Sequence, residues 1–177
     1  MTTALLIIDV QQALCAGEYE CFQISRVITT INDLSARARK AGVPVVFIQH
    51  EEKGSPFAHE AAGWQLAEGL ETSAKDARVR KTTPDSFYQT NLQKLLPIDD
   101  FERLVICGLQ TDYCVNATVR QALKLGYDVV LAADAHSTVD NGNLSADDII
   151  AEHNKDLAHL TGSVARIDVV PAKDIHF

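Results

Sequence analysis

The chain has 177 residues and a formal net charge of −8. That length suits one domain, residues 1–177, with a substantial core, and the ordinary composition excludes collagen, coiled coil and disorder. The acidic balance argues against a nucleic-acid or membrane-surface binder. No apolar run approaches the roughly 18 residues that span a bilayer, and no basic stretch of a signal peptide precedes the first apolar run, so a cytoplasmic protein is expected. Cys15, Cys21, Cys107 and Cys114 have no CxxC spacing and read as reduced thiols.

In chain order, Ala4 to Ile8 is a continuous apolar run of the kind buried on both faces of a parallel sheet, and it ends in Asp9. A helix is expected over 24–41, where Ile24, Val27, Ile28, Ile31, Leu34 and Ala38 repeat at helical spacing before Gly42 and Pro44 stop it. Val45 to Ile48 reads as a second buried strand, followed by Gln49-His50-Glu51-Glu52. From Lys53 to Lys75 the periodicity fails, which predicts a long loop carrying Phe57 and Trp64 as a lid or wall. Arg78 to Lys81 reads as a short third strand with Lys81 at its end, and Ser86 to Leu96 as a helix-like stretch.

Leu104 to Cys107 is the next apolar run, bounded by Gly108. Val115, Val119, Ala122 and Leu123 then fall at helical spacing, so Cys114 should stand where a helix begins. The positive end of a helix favours thiolate over thiol. Val129 to Ala133 predicts a fifth strand leading into Asp134-Ala135-His136-Ser137-Thr138. Ser145 and Asp148 resemble a capping box that opens a helix to about His159, and Ala165 to Val170 reads as an edge strand. The alternation predicts a three-layer α/β/α fold with a doubly wound, mostly parallel six-stranded sheet. Strand order 3-2-1-4-5-6 would set Asp9 beside the Cys114 turn.

Asp9, Lys81 and Cys114 thus gather at the carboxyl ends of three strands. A thiol needs a base or a neighbouring cation to become a nucleophile. Asp9 suits the base and Lys81 the cation that keeps thiolate and carboxylate from repelling each other. Backbone N–H groups near Cys114 and Gln110 suit an oxyanion. Acyl transfer through a thioester is the chemistry this set implies. Substrate-wall candidates are Gln11, Trp64, Tyr88, Tyr113, Phe22 and His136, with Ser137 beside it. Cys15, Cys21 and Cys107 read as structural, and His153, His159 and His176 as surface residues.

Four segments carry a resemblance over nearly the whole chain: 5–11 (LLIIDVQ), 81–87 (KTTPDSF), 108–115 (GLQTDYCV) and Gly126-Tyr127 through Asp134-Ala135. Together they resemble the isochorismatase-like cysteine hydrolase superfamily. The resemblance implies a triad of Asp9, Lys81 and Cys114. It also implies a cis peptide between Leu109 and Gln110, an oxyanion hole from the Gln110 and Cys114 amides, and a homodimer or homotetramer. Members that cleave isochorismate usually lack the cysteine, so keeping it favours amide or ureide hydrolysis of a small molecule without a cofactor. Nicotinamidases carry an Asp-x-His metal pair where this chain has Gln49-His50-Glu51-Glu52, so no metal is expected. A metal on His50, Glu51 and His59 is the enzyme rival, and a non-catalytic ligand-binding or assembly protein is the rival from another class.

Overall fold

The computed structural model describes residues 2–160 and 165–177. Six parallel strands form one sheet: β1 (Thr3–Ile8), β2 (Val45–His50), β3 (Ala77–Lys81), β4 (Arg103–Leu109), β5 (Asp128–Ser137) and β6 (Ile167–Val170). Their order is β3-β2-β1-β4-β5-β6, as the sequence predicts. The helices are α1 (Gln12–Cys15), α2 (Ile24–Lys40), α3 (Leu92–Leu95), α4 (Asn116–Leu125) and α5 (Ala146–Ala158). Among the described residues no helix is long and apolar enough to cross a membrane.

The apolar runs of β1 and β4 are buried on both faces because successive side chains point to opposite sides. Leu5, Ile7, Val105 and Cys107 pack with the α2 stripe of Val27, Ile31, Leu34 and Ala38. Leu6, Ile8, Leu104 and Ile106 pack with Val115, Val119 and Ala122 from the other layer. Each fully buried aliphatic side chain contributes about 1.5–3 kcal/mol, so burial rather than propensity holds α2 in place. That helix ends in a Schellman motif: Gly42 takes φ +74°, its N–H reaches the Arg39 carbonyl, and Val43 N–H reaches Ala38.

Local details differ from the sequence reading. Helix over 86–96 shrinks to Leu92–Leu95. Local side-chain bonds compete with the helix there: Asp85 Oδ1 accepts from Phe87 N, and Thr90 Oγ1 donates to Ser86 O. The Ser86 hydroxyl is instead spent on Thr118 of α4 at 2.8 Å. Strand β6 begins at Ile167 rather than Ala165. The Ser145 cap does form, with Oγ accepting from Asp148 N, but Asp148 returns its carboxylate to the Ser145 hydroxyl at 2.7 Å rather than completing a capping box.

Strand β1 lies between β2 and β4, where the strand order reverses, and the crevice beyond its carboxyl end is where doubly wound sheets place their sites.

Candidate active site

Each member of the central cluster is delivered by a strand end. Asp9 follows β1 with φ +51°, a left-handed conformation that aspartate tolerates better than most residues, and its N–H is held by the Ile48 carbonyl at 3.0 Å. Lys81 ends β3, an edge strand with alternating burial: Arg78 and Arg80 face out, Val79 and Lys81 face in. The alternation, not the basic composition of the segment, decides which cation enters the molecule. Cys114 sits in a π-helical turn, Thr111–Val115, that precedes α4.

Lys81 Nζ lies 2.7 Å from Asp9 Oδ2, 3.1 Å from Cys114 Sγ and 3.1 Å from the Thr83 carbonyl. Lys81 and Asp9 are 2% and 1% exposed, so this ion pair is shielded from water and salt. The Asp9 contact lies off the hydrogen-bonding direction, and among the described residues neither Asp9 oxygen has a hydrogen-bond partner. That leaves a buried carboxylate with open lone pairs beside a thiol, which is what a proton acceptor requires. Burial works against the Lys81 ammonium, but Asp9 and Cys114 outweigh it and hold it above its ordinary range.

The sequence expectation of a thiolate at a helix start is corrected here. Burial pushes the Cys114 thiol up to about 12, the Asp9 carboxylate adds to this, and Lys81 counters it. The helix proper begins two residues later at Asn116, past the π-helical turn that holds the thiol. Burial also pushes Cys15 and Cys21 up to about 12 and raises Cys107. What distinguishes Cys114 is its neighbours, a cation and a carboxylate.

The turn around Cys114 is rigidly supported. The Leu109–Gln110 peptide is cis, and Gln110 O accepts from Tyr113 N at 3.2 Å and Val115 N at 3.1 Å. Thr111 Oγ1 lies 2.8 Å from His136 Nδ1, His136 Nε2 lies 2.9 Å from Asn154 Oδ1, and Asn154 Nδ2 donates to Ala133 O. Burial drives the His136 imidazole down to about 4, so it is neutral and holds Thr111 as a buried strut.

A cavity of about 220 Å³ opens over the cluster. Asp9, Gln110, Tyr113 and Cys114 line its chemical side, His50 and Glu52 one wall, and Leu14, Phe57 and Pro84 the apolar remainder. Of the predicted wall residues, Tyr113 and the loop's Phe57 line it. Gln11 is fully buried, its Nε2 donating to His50 O and Trp64 O and its Oε1 accepting from His50 N. Trp64 lines a separate groove with Arg78 and Arg80, Tyr88 is 54% exposed away from the cavity, and His136 is the strut just described. Phe22 and Ser137 meet elsewhere, through Ser137 Oγ donating to Phe22 O.

Sequence reasoning missed Leu14, Pro84 and Glu52. The first two carry no chemical signal in sequence. Glu52 does stand just past β2, where the strand-end rule would have found it.

The residues proposed as metal ligands do not converge. His50 packs edge-on against Phe57 at 5.6 Å, His59 against Trp64 at 4.7 Å, and Glu51 pairs with Arg80 at 2.7 Å. Among the described residues no three His, Cys, Asp or Glu side chains form a metal-binding group.

Sheet order, switch-point crevice and a buried Asp–Lys–Cys cluster define a doubly wound α/β protein with a thiol-centred site. The chain belongs to the isochorismatase family, whose domain model matches residues 3–164. It is similar to a streptothricin hydrolase of Streptomyces noursei, 41% identical over 77% of this chain and 50% of that protein. It is also similar to the ureidoacrylate amidohydrolase RutB of Pseudomonas savastanoi pv. phaseolicola, 30% identical over 75% of this chain and 69% of that one. The chain thus spans about half the length of the streptothricin hydrolases it matches, 50% and 55%. The crystal structure of an isochorismatase from Pseudomonas putida KT2440 superposes with TM-score 0.90 at 26% identity, covering 99% of this chain and 90% of that one.

Proposed function

We propose that the protein is a cysteine-dependent hydrolase of small amides or ureides, with Cys114 as nucleophile, Asp9 as base and acid, and Lys81 as their electrostatic partner. The observation that carries this is the buried Lys81 ammonium set 2.7 Å from Asp9 and 3.1 Å from Cys114, both of which line the cavity. Burial favours the resting thiol, and Cys114 gives up its proton as the carbon–sulfur bond forms. Asp9 accepts that proton, and the carbonyl electrons move onto oxygen, where the Gln110 and Cys114 amides receive them. Collapse of the adduct breaks the C–N bond while Asp9 returns the proton to the departing nitrogen. Water then attacks the thioester, giving a proton to Asp9 and restoring the thiol as the acid leaves. Lys81 stays charged throughout, so the buried site never holds an unpaired anion. The relatives named for streptothricin hydrolysis and ureidoacrylate amidohydrolysis support the substrate class.

The test is ammonia release from a panel of small carboxamides and ureides, with acid-quenched mass spectrometry of the protein. The wild type should release ammonia and carry the acyl group on Cys114, and Cys114→Ala should do neither. Undiminished release by Cys114→Ala would overturn the mechanism.

A further inference from the structure

The cavity over Cys114 has an electrostatic bias that the chemistry just proposed does not use. Among the described residues its lining holds two carboxylates, Asp9 and Glu52, and no lysine or arginine. Asp9 is matched by Lys81. Lys81 is itself 2% exposed and does not line the cavity, and its charge is matched by Asp9 and directed at Cys114, so it is not presented to a substrate carboxylate. His50, on the same wall as Glu52, adds no cation, because burial and nearby Lys81 both press its imidazole toward the neutral form.

Glu52 differs from its neighbour in kind. Glu51 points to Arg80 and is neutralised there. Glu52 is exposed and forms no ion pair among the described residues, yet its backbone is pinned: its N–H donates to Phe57 O at 3.1 Å, and its carbonyl accepts from Ser55 Oγ at 3.0 Å. The same turn seats Phe57, whose N–H is held by Ser55 Oγ at 3.0 Å. One short turn therefore presents an apolar ring and an unpaired carboxylate to the same cavity.

Resting on the hydrolase reading above, we infer that the site selects amides or ureides whose body carries a positive charge, with Glu52 as the residue that recognises an ammonium or guanidinium group. Anionic substrates meet a fixed negative charge and no counter-ion. Neutral ones bind by the apolar wall alone.

A matched series tests this: 6-aminohexanamide, hexanamide and adipic acid monoamide share one chain and one amide and differ in terminal charge. The expected order of kcat/KM is cation, neutral, anion, with about fivefold at each step, the ratio an exposed charge pair supplies. High salt should compress the order. In Glu52→Gln the three rates should converge, and in Glu52→Lys the order should invert. Equal rates in the wild type, or an order that survives Glu52→Gln, would overturn the inference. Should none of the three be hydrolysed, they compete with iodoacetamide for Cys114. Protection by the cation that disappears in Glu52→Gln upholds the recognition while counting against hydrolysis. Equal protection by all three, or none, overturns the recognition as well.

Discussion

Asp9 and Lys81 together set the protonation of the Cys114 thiol. Burial and the Asp9 charge raise the thiol, and Lys81 lowers it. The two neighbours should therefore move the thiol in opposite directions when removed. Asp9→Asn removes a raising charge, so thiolate absorbance at about 240 nm should appear at lower pH than in the wild type, while Lys81→Met should delay it to higher pH. Turnover should nonetheless fall about 10²–10⁴-fold in Asp9→Asn, because the proton acceptor is gone. A variant that forms thiolate more readily and works less well would separate nucleophile ionisation from proton transfer. These three positions are legible in sequence because each stands at the end of a strand-like segment or at a strand-to-helix turn. Gln11, Trp64, Tyr88 and His136 are not. Whether a polar side chain faces a ligand or the protein depends on partners distant in sequence: Gln11 is satisfied 39 residues away at His50, and His136 25 residues away at Thr111.

At the scale of elements, the approach of β4 to β1 governs the site. Gly108 has φ +118°, and a Cβ there would lie 2.1 Å from the Ile8 carbonyl oxygen, one residue before Asp9. The β4–β5 register also shifts here, with Ile106 opposite Leu131 but Gly108 opposite His136. Gly108→Ala should destabilise the fold by at least about 1–3 kcal/mol from the backbone conformation alone, before the clash is counted. Urea unfolding gives the value, and a change within error of zero would show that β1 and β4 can separate at no cost. Apolar runs made β1, β2, β4 and β5 readable. The stretch over 86–96 misled because its periodicity matches a helix, while Asp85 and Thr90 bind nearby backbone and Ser86 is drawn to Thr118. The π-helical turn at Cys114 has no periodic signature, so a regular helix start was the natural reading.

For the whole molecule, the alternation of elements predicts a doubly wound sheet, and order 3-2-1-4-5-6 is the doubly wound arrangement that sets Asp9 beside the Cys114 turn. The long segment between β2 and β3 does not follow from that alternation. Its course depends on tertiary bonds such as the Gln11–Leu66 bridge and the Asn32 amide holding Gly69 O. Global stability should report on one buried group, His136. It is neutral in the folded state with its value driven from 6.5 to about 4, whereas the unfolded chain takes up a proton below 6.5. The unfolded state then binds more protons in that window, so stability is full above pH 6.5 and declines on acidification toward about 4, by on the order of 3 kcal/mol. Denaturant midpoints across this range should fall in the wild type and fall less in His136→Gln.

The Gln11 amide bonds only to backbone atoms, those of His50 and Trp64, and Gln49 adds a second amide to the same Trp64 carbonyl at 3.0 Å. Backbone groups persist whatever side chains stand at those positions. The wall is therefore moored at His50 and Trp64 by a side chain two residues from Asp9, whatever side chains stand at those two positions. Exchange of the His50 or Trp64 side chain thus leaves the anchorage beside Asp9 in place, because none of these bonds is made by either side chain.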